Sequence, residues 1–319
     1  MGRFRVRLGR SRVSYRGVLV ALVALSAGAH AQTVKLNGPL AQPSSGDVLD
    51  YRLSPDGARV VYRADQTSDG VFELFSALAD GSAATVRLNA PLPPGANVGG
   101  VGLNVFGAGG WDYEVSSAGR VVFIVDQNVD NLDELYSVPS DGSASPVRLN
   151  GPAISGRGVL NFWLSPDGAS VVYHADESAG EHLFRVPIDG SAPATLLTPS
   201  LEVFEVWLSP DGARAVFTVW LQSMRQQLYA VPTDASAAPL QLGTTQPPID
   251  FGSTSVQNVR ISADGTHAVF HELFDEDGYE NAYFFSAPLD GSQPPRLLNH
   301  QPLNPYVLPF DFDGVELGP

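Results

Sequence analysis

The sequence reads as an all-β protein, a β-propeller of four-stranded antiparallel blades with five complete blades and a partial sixth closed by both termini. Three observations predict it. A Ser-Pro-Asp-Gly type of turn recurs at 54–57, 116–119 (SSAG), 165–168, 209–212 and 262–265 (SADG). A second turn, Asp-Gly-Ser or once Asp-Ala-Ser, follows each at Asp80, Asp141, Asp189, Asp234 and Asp290. Around both turns, β-branched and aromatic residues alternate with period two, the pattern of half-buried strands. From the glycine of the first turn to the residue after the second-turn Asp is 22 to 26 residues in every unit, so each repeat has a rigid middle and varies outside it.

The elements follow in chain order. Residues 1–16 carry six arginines and no acid, residues 17–28 (GVLVALVALSAG) are apolar, and Ala29-His30-Ala31 is a small-x-small site. That layout is a secretory signal peptide cleaved before Gln32. Its apolar run is shorter than the ~20 residues a spanning helix needs. The expected organisation is a signal peptide at 1–31 and one propeller domain at 32–319, exported to the periplasm or secreted. Thr33 to Leu40 (TVKLNGPL) repeats the outermost strand of later units, as in Thr85 to Leu92 (TVRLNAPL), so the domain opens on a lone strand d.

Unit one then supplies strand a at Tyr51–Leu53, b at Arg59–Ala64, c at Phe72–Leu78 and d at Thr85–Asn89. Strand b carries an aromatic in each unit at Tyr62, Phe123, Tyr173, Phe217 and Phe270; strand c does so at Phe75, Tyr136, Phe184, Tyr229 and Phe285. Proline fixes φ inside the first turn and glycine takes positive φ at its end. At the other end, Tyr306 to Gly314 (YVLPFDFDG) reads as a strand a running into its turn. A five-bladed ring with both termini packed outside is the competing closure. A β-sandwich leaves the fivefold repeat of a four-strand unit unexplained.

Composition limits the partners. The chain has 19 Lys plus Arg against 34 Asp plus Glu, a formal charge of −15; loss of six leader arginines takes it to −21. Such a surface repels phosphate backbones and anionic lipid, so nucleic acid is not an expected partner, and no membrane span follows the leader. The chain has no cysteine, which removes disulfides, thiolate metal sites and a thiol nucleophile.

The LSPDG…VVY…LF.V..DGS…LN pattern resembles the TolB-like propeller repeat family, found in periplasmic TolB and in the propellers of prolyl-oligopeptidase-type enzymes. The resemblance covers about residues 33–314 and implies the propeller fold. It leaves function open, because these repeats serve many settings. Two features depart from those proteins: strand-like sequence begins at Val34 with no α/β domain before it, and no G-x-S-x-G elbow follows Gln32.

Antiparallel order puts every a–b and c–d turn on one face and every b–c and d–a loop on the other. All length variation lies on the second face, which makes it the candidate binding surface. The longest insertion, 93–110, holds seven glycines and reads either as a surface loop or as a mobile lid. Four residues before each turn serine stand Asp50, Asp112, Asn161, Glu205 and Asn258, all with side-chain oxygens; two residues on come Arg52, Glu114, Trp163, Trp207 and Arg260. Strand a lines the channel, so these residues are expected to ring its mouth. Three readings stand: hydrated strand starts, a hard cation such as Ca²⁺ held by the five oxygens, or a polar ligand site. Asp65, Asp126 and Asp176 end strand b and are expected to be solvated, since the Asp126–Asp130 and Asp275–Gly278 runs are incomplete calcium loops. His174, His182, His267, His271 and His300 form no metal motif. The function expected is a non-catalytic scaffold for a protein or small polar ligand. The alternative is a propeller hydrolase or lactonase with a cation at the mouth, drawing on pairs such as Asp112 with Glu205.

Overall fold

The computed structural model describes residues 15–16, 20–23, 32–41, 46–93, 95–99, 112–128, 132–152, 158–177, 180–221, 225–243, 254–276 and 279–299. Its regular elements are all strands. Three short ones come first: β1 (Tyr15–Arg16), β2 (Val20–Val23) and β3 (Gln32–Lys35). Blade 1 is β4 (Asp47–Leu53), β5 (Arg59–Ser68), β6 (Val71–Leu78) and β7 (Val86–Arg87). Blade 2 is β8 (Tyr113–Val115), β9 (Arg120–Val125), β10 (Glu134–Pro139) and β11 (Val147–Arg148). Blade 3 is β12 (Val159–Leu164), β13 (Ser170–Asp176), β14 (Glu181–Pro187) and β15 (Thr195–Leu196). Blade 4 is β16 (Val206–Leu208), β17 (Arg214–Leu221), β18 (Arg225–Pro232) and β19 (Leu240–Gln241). Blade 5 is β20 (Thr254–Ile261), β21 (His267–Glu276), β22 (Tyr279–Pro288) and β23 (Arg296–Leu297).

Within each blade the four strands pair antiparallel in chain order, so one meander repeats five times; β1 adds to β4 at Val48 and Asp47, and a single parallel bridge, Arg225 to Thr254, joins blades 4 and 5. The aromatics of strands b and c stand opposite one another and stack: Tyr62–Phe75 at 5.7 Å, Phe123–Tyr136 at 5.9 Å, Tyr173–Phe184 at 5.1 Å, and Phe217–Tyr229 and Phe270–Phe285 each at 5.8 Å. Directly opposed side chains are the unit of sheet stabilisation, which explains the fivefold recurrence of these pairs.

The core lies between blades. Val61, Leu74 and Leu88 of blade 1 pack on Tyr113, Phe123 and Tyr136 of blade 2. Blades 2 and 3, 3 and 4, and 4 and 5 repeat this arrangement. A backbone bond crosses several seams at the foot of strand c: the N–H of Val98 donates to Phe72, that of Val159 to Asp133 and that of Val203 to Glu181, at 2.7–2.8 Å. The turns behave as read. In blade 1 the Ser54 hydroxyl donates to Asp56 at 2.6 Å, and Asp56 also accepts the N–H of Ala58 at 3.0 Å. Those bonds hold the exposed Asp56 carboxyl below its ordinary range.

The lone first strand is present. Leu36 packs with Val60, Tyr62 and Phe75, as Leu88 packs on blade 2. Its only ladder partner among the described residues is β2, so the ring is not closed by backbone bonds there. The 306–314 stretch lies outside the described residues. Of the long insertion, residues 95–99 run between blades 1 and 2, with Ala96 and Val98 buried and Val98 bridged to Val125. That portion is a seam element, which corrects both the surface-loop and the lid readings for it. The remaining glycines of the insertion, from Gly100 onward, lie outside the described residues.

A candidate ligand site at the channel mouth

Strand a meets strand b at the positions the sequence singled out, and the structure adds a second tier behind them. Asp50 stands opposite Arg63 and Asn161 opposite His174. The backbone carbonyl of Asp112 accepts the N–H of Ile124 at 2.9 Å, and that of Glu205 accepts the N–H of Thr218 at 3.0 Å. Asn258 sits in the bulge facing His271, with a left-handed φ of 54° and its amide 3.3 Å from the ring Nδ1. The five backing residues, Arg63, Ile124, His174, Thr218 and His271, are all buried. Each follows the aromatic of strand b, and that offset is the sequence signal that would have found them.

Arg63 organises the mouth. Its guanidinium forms a two-armed ion pair with Asp50 and reaches across the seam to Asp112 Oδ2 at 2.7 Å and the Val98 carbonyl at 3.2 Å. It also lies 5.7 Å from the centre of the Tyr113 ring, with Arg52 at 5.6 Å. Two of the five expected oxygen ligands thus share one protein cation. Among the described residues no group of three His, Asp or Glu side chains is placed to hold a metal ion.

The flanking residues divide. Burial raises the Glu114 carboxyl, opposed by Arg52, and burial alone raises Glu205. Trp163 and Trp207 are partly buried against the seams to blades 4 and 5, so packing between blades accounts for them. Arg260 is exposed and donates to the Val259 carbonyl at 3.2 Å.

The loop acids need correction. Asp65 and Asp126 are buried, not solvated. Asp65 accepts the N–H of Asp47 at 2.7 Å, and Asp126 that of Asn97 at 2.8 Å. Each accepts a partly buried backbone N–H where the d–a connection arrives, which is why the acid recurs without forming a calcium loop. Asp176, only partly buried, keeps an intermediate exposure. Of the other run, nothing beyond the strand backbone of Asp275 and Glu276 is described.

Three features escaped the sequence reading. Asp133, at the foot of strand c in blade 2, is pushed up to about 7 by burial and by the nearby charges of Asp126 and Asp112. Its Oδ1 has no hydrogen-bond partner. His174 is buried and held down at about 4 by burial and by His182, with Glu181 Oε2 at 3.6 Å. Trp220, at the variable-face end of β17, is 47% exposed and meets Phe204 edge-on at 6.0 Å, one residue before Glu205.

No family profile matches the chain, and no curated protein does either. Solved structures do resemble it. A protein assigned as TolB from Agrobacterium tumefaciens is 16% identical with a TM-score of 0.41, covering 86% of this chain and 87% of that one. TolB from Acinetobacter baumannii is 16% identical with a TM-score of 0.42, over 87% of this chain and 59% of the other. A puromycin-hydrolyzing peptidase from Mycobacterium tuberculosis is 16% identical with a TM-score of 0.44, over 84% of this chain and 40% of the peptidase. At these levels the sheets and registers above carry the fold.

Proposed function

We propose that this protein is an exported propeller scaffold that binds a polar ligand or a protein side chain on its variable-loop face, at the channel mouth. The observation that carries the reading lies on that face: Trp220 shows nearly half its surface to solvent and meets the ring of Phe204, the residue before Glu205, whose carboxyl is raised by burial. An exposed indole on the same face as an acid suits a cation or a hydroxyl-rich group, which would stack on the ring and bond to the carboxylate. The formal charge of −15 agrees with a cationic or neutral polar partner. The leader pattern and the absence, among the described residues, of any helix long and apolar enough to cross a membrane agree with export.

The test is capture from the native envelope or culture medium with wild-type protein and with Trp220→Ala and Glu205→Gln. A partner retained by the wild type and lost by both variants supports the site. A partner retained equally by all three overturns it.

A second reading has one observation of its own. A carboxyl held at about 7, as Asp133 is, can donate a proton at neutral pH. Hydrolysis of chromogenic ester, lactone or glycoside substrates that disappears in Asp133→Asn would make the protein an enzyme. Hydrolysis unchanged by that substitution would remove the reading.

A further inference from the structure

Strand β3 stands in the place of an outermost blade strand. Val34 sits over Gly81 as Val86 sits over Gly142, Val147 over Gly190 and Leu240 over Gly291. Leu36 is buried, as are Leu88, Leu149, Leu197 and Leu242. Asn37 donates from Nδ2 to the next carbonyl at 3.0 Å, as Asn89 and Asn150 do at 2.7 and 2.9 Å. In four blades the residue at this place also clamps strand c. The N–H of Leu74 donates to Asn89 at 2.8 Å, that of Leu135 to Asn150 at 2.9 Å, that of Leu183 to Thr198 at 3.0 Å and that of Phe284 to Asn299 at 2.8 Å.

The strand beside β3 is β2, from the apolar run of the leader. Val34 stands opposite Ala21 and Lys35 opposite Val20. In blade 1, Val86 stands opposite Ser76 and Arg87 opposite Phe75. The registers are the same, so residues 20–23 of the leader hold the strand-c place of a sixth blade. Cleavage before Gln32 removes them. The edge they leave is already fixed to blade 1 through Val34 and Leu36, and an unpaired, rigid edge is a template for another strand.

We propose that in the exported protein the Gln32–Asn37 edge receives an extended apolar segment of a partner protein as an antiparallel strand. The proposal rests on the export reading, and it concerns a different surface from the channel mouth. The leader shows the chemistry that fits: Val-Leu-Val-Ala-Leu-Val-Ala at 18–24 has no charge and no proline. The incoming segment must donate backbone N–H groups to the β3 ladder, as residues opposite Gln32 and Val34 do, which excludes proline there.

The full chain is exported, its start is read by intact mass, and the product is titrated with a synthetic peptide of residues 18–24 carrying two lysines for solubility. The expected result is a product beginning at Gln32 that binds one peptide per chain, saturably. A peptide with Ala21→Pro should bind at least roughly tenfold more weakly, because proline removes a ladder donor. A peptide with Val23→Pro, the position opposite Gln32, should likewise bind several-fold more weakly. Absence of binding overturns the proposal, and so does binding indifferent to both changes. Binding seen only after deletion of 301–319 would mean that this chain fills its own edge. A dimer that the peptide cannot disperse would mean that a second copy does, and either result overturns the partner assignment. A retained leader overturns the export premise, and the mass reports that before any titration.

Discussion

The seam between blades 1 and 2 and the flank of blade 1 that β3 covers in part present equivalent residues to different surroundings. Tyr51 and Tyr113 hold the same position, three residues before the turn serine, yet Tyr51 is 49% exposed and Tyr113 is 1% exposed. Leu298, at the far end of the ring, is 42% exposed, while its counterparts Leu88, Leu149, Leu197 and Leu242 are at most 4% exposed. Burial here belongs to the neighbouring blade and not to the residue. A repeat scaffold stabilises itself through such interfaces, so equal substitutions should have unequal costs.

The largest contrast is expected from that pair. Tyr113→Ala should cost about 3–5 kcal/mol, the range for deleting a buried aromatic, and Tyr51→Ala under about 1 kcal/mol. Denaturant midpoints of the two variants measure the difference directly, and equal losses would show that blade 1 is covered on both sides.

His174 gives the next effect through pH. Its folded value of about 4 lies below the ordinary 6.5, so the unfolded chain takes up the proton first. Stability from this group is complete above pH 6.5 and falls as pH drops towards 4, by on the order of 3 kcal/mol in the limit. Asp133 slopes the other way, since a carboxyl raised to about 7 makes its unfavourable contribution as pH rises from about 4 to 7. His174→Phe should flatten the acid limb, and Asp133→Asn should raise stability at pH 8. Melting curves across pH 4–8 separate the two groups.

A smaller effect tests the outer contact. Gly142 and Gly57 both have positive φ, but an added methyl at Gly142 meets Val86 and one at Gly57 meets nothing. Gly142→Ala should therefore cost about 1–2 kcal/mol more than Gly57→Ala, the two sharing the same backbone strain. The smallest effect is expected from metal. Arg63 already pairs with both Asp50 and Asp112 and competes with a cation for their oxygens, so Ca²⁺ or EDTA should leave the melting temperature unchanged within error. A rise with Ca²⁺ that is lost in Asp112→Asn would support the cation reading.

The fold was legible because its determinants are local and repeated: turn serines, turn glycines and the opposed aromatics of strands b and c. Val34 and Leu36 were readable for the same reason, since TVKLN copies TVRLN. The site was legible only in part. Asp50, Asp112 and Glu205 showed as polar residues at strand starts, but Arg63 pairs with two of them from the neighbouring strand. That pairing depends on the a–b register and on the adjacent blade, which strand-by-strand reading does not supply. Asp65 and Asp126 misled because an acid bonded to backbone N–H groups and a solvated acid look alike in sequence. Trp220 carried no signal beyond its place at the end of strand b.

The most direct measurement is hydrogen exchange along the innermost strands. Peptides covering Val159–Leu164, strand a between two blades, should be protected to near the global unfolding free energy. Peptides covering Asp47–Leu53, strand a on the partly covered flank, should exchange through local opening at least roughly a hundredfold faster. Equal, slow exchange in both strands would contradict the account and show a ring closed on both sides of blade 1.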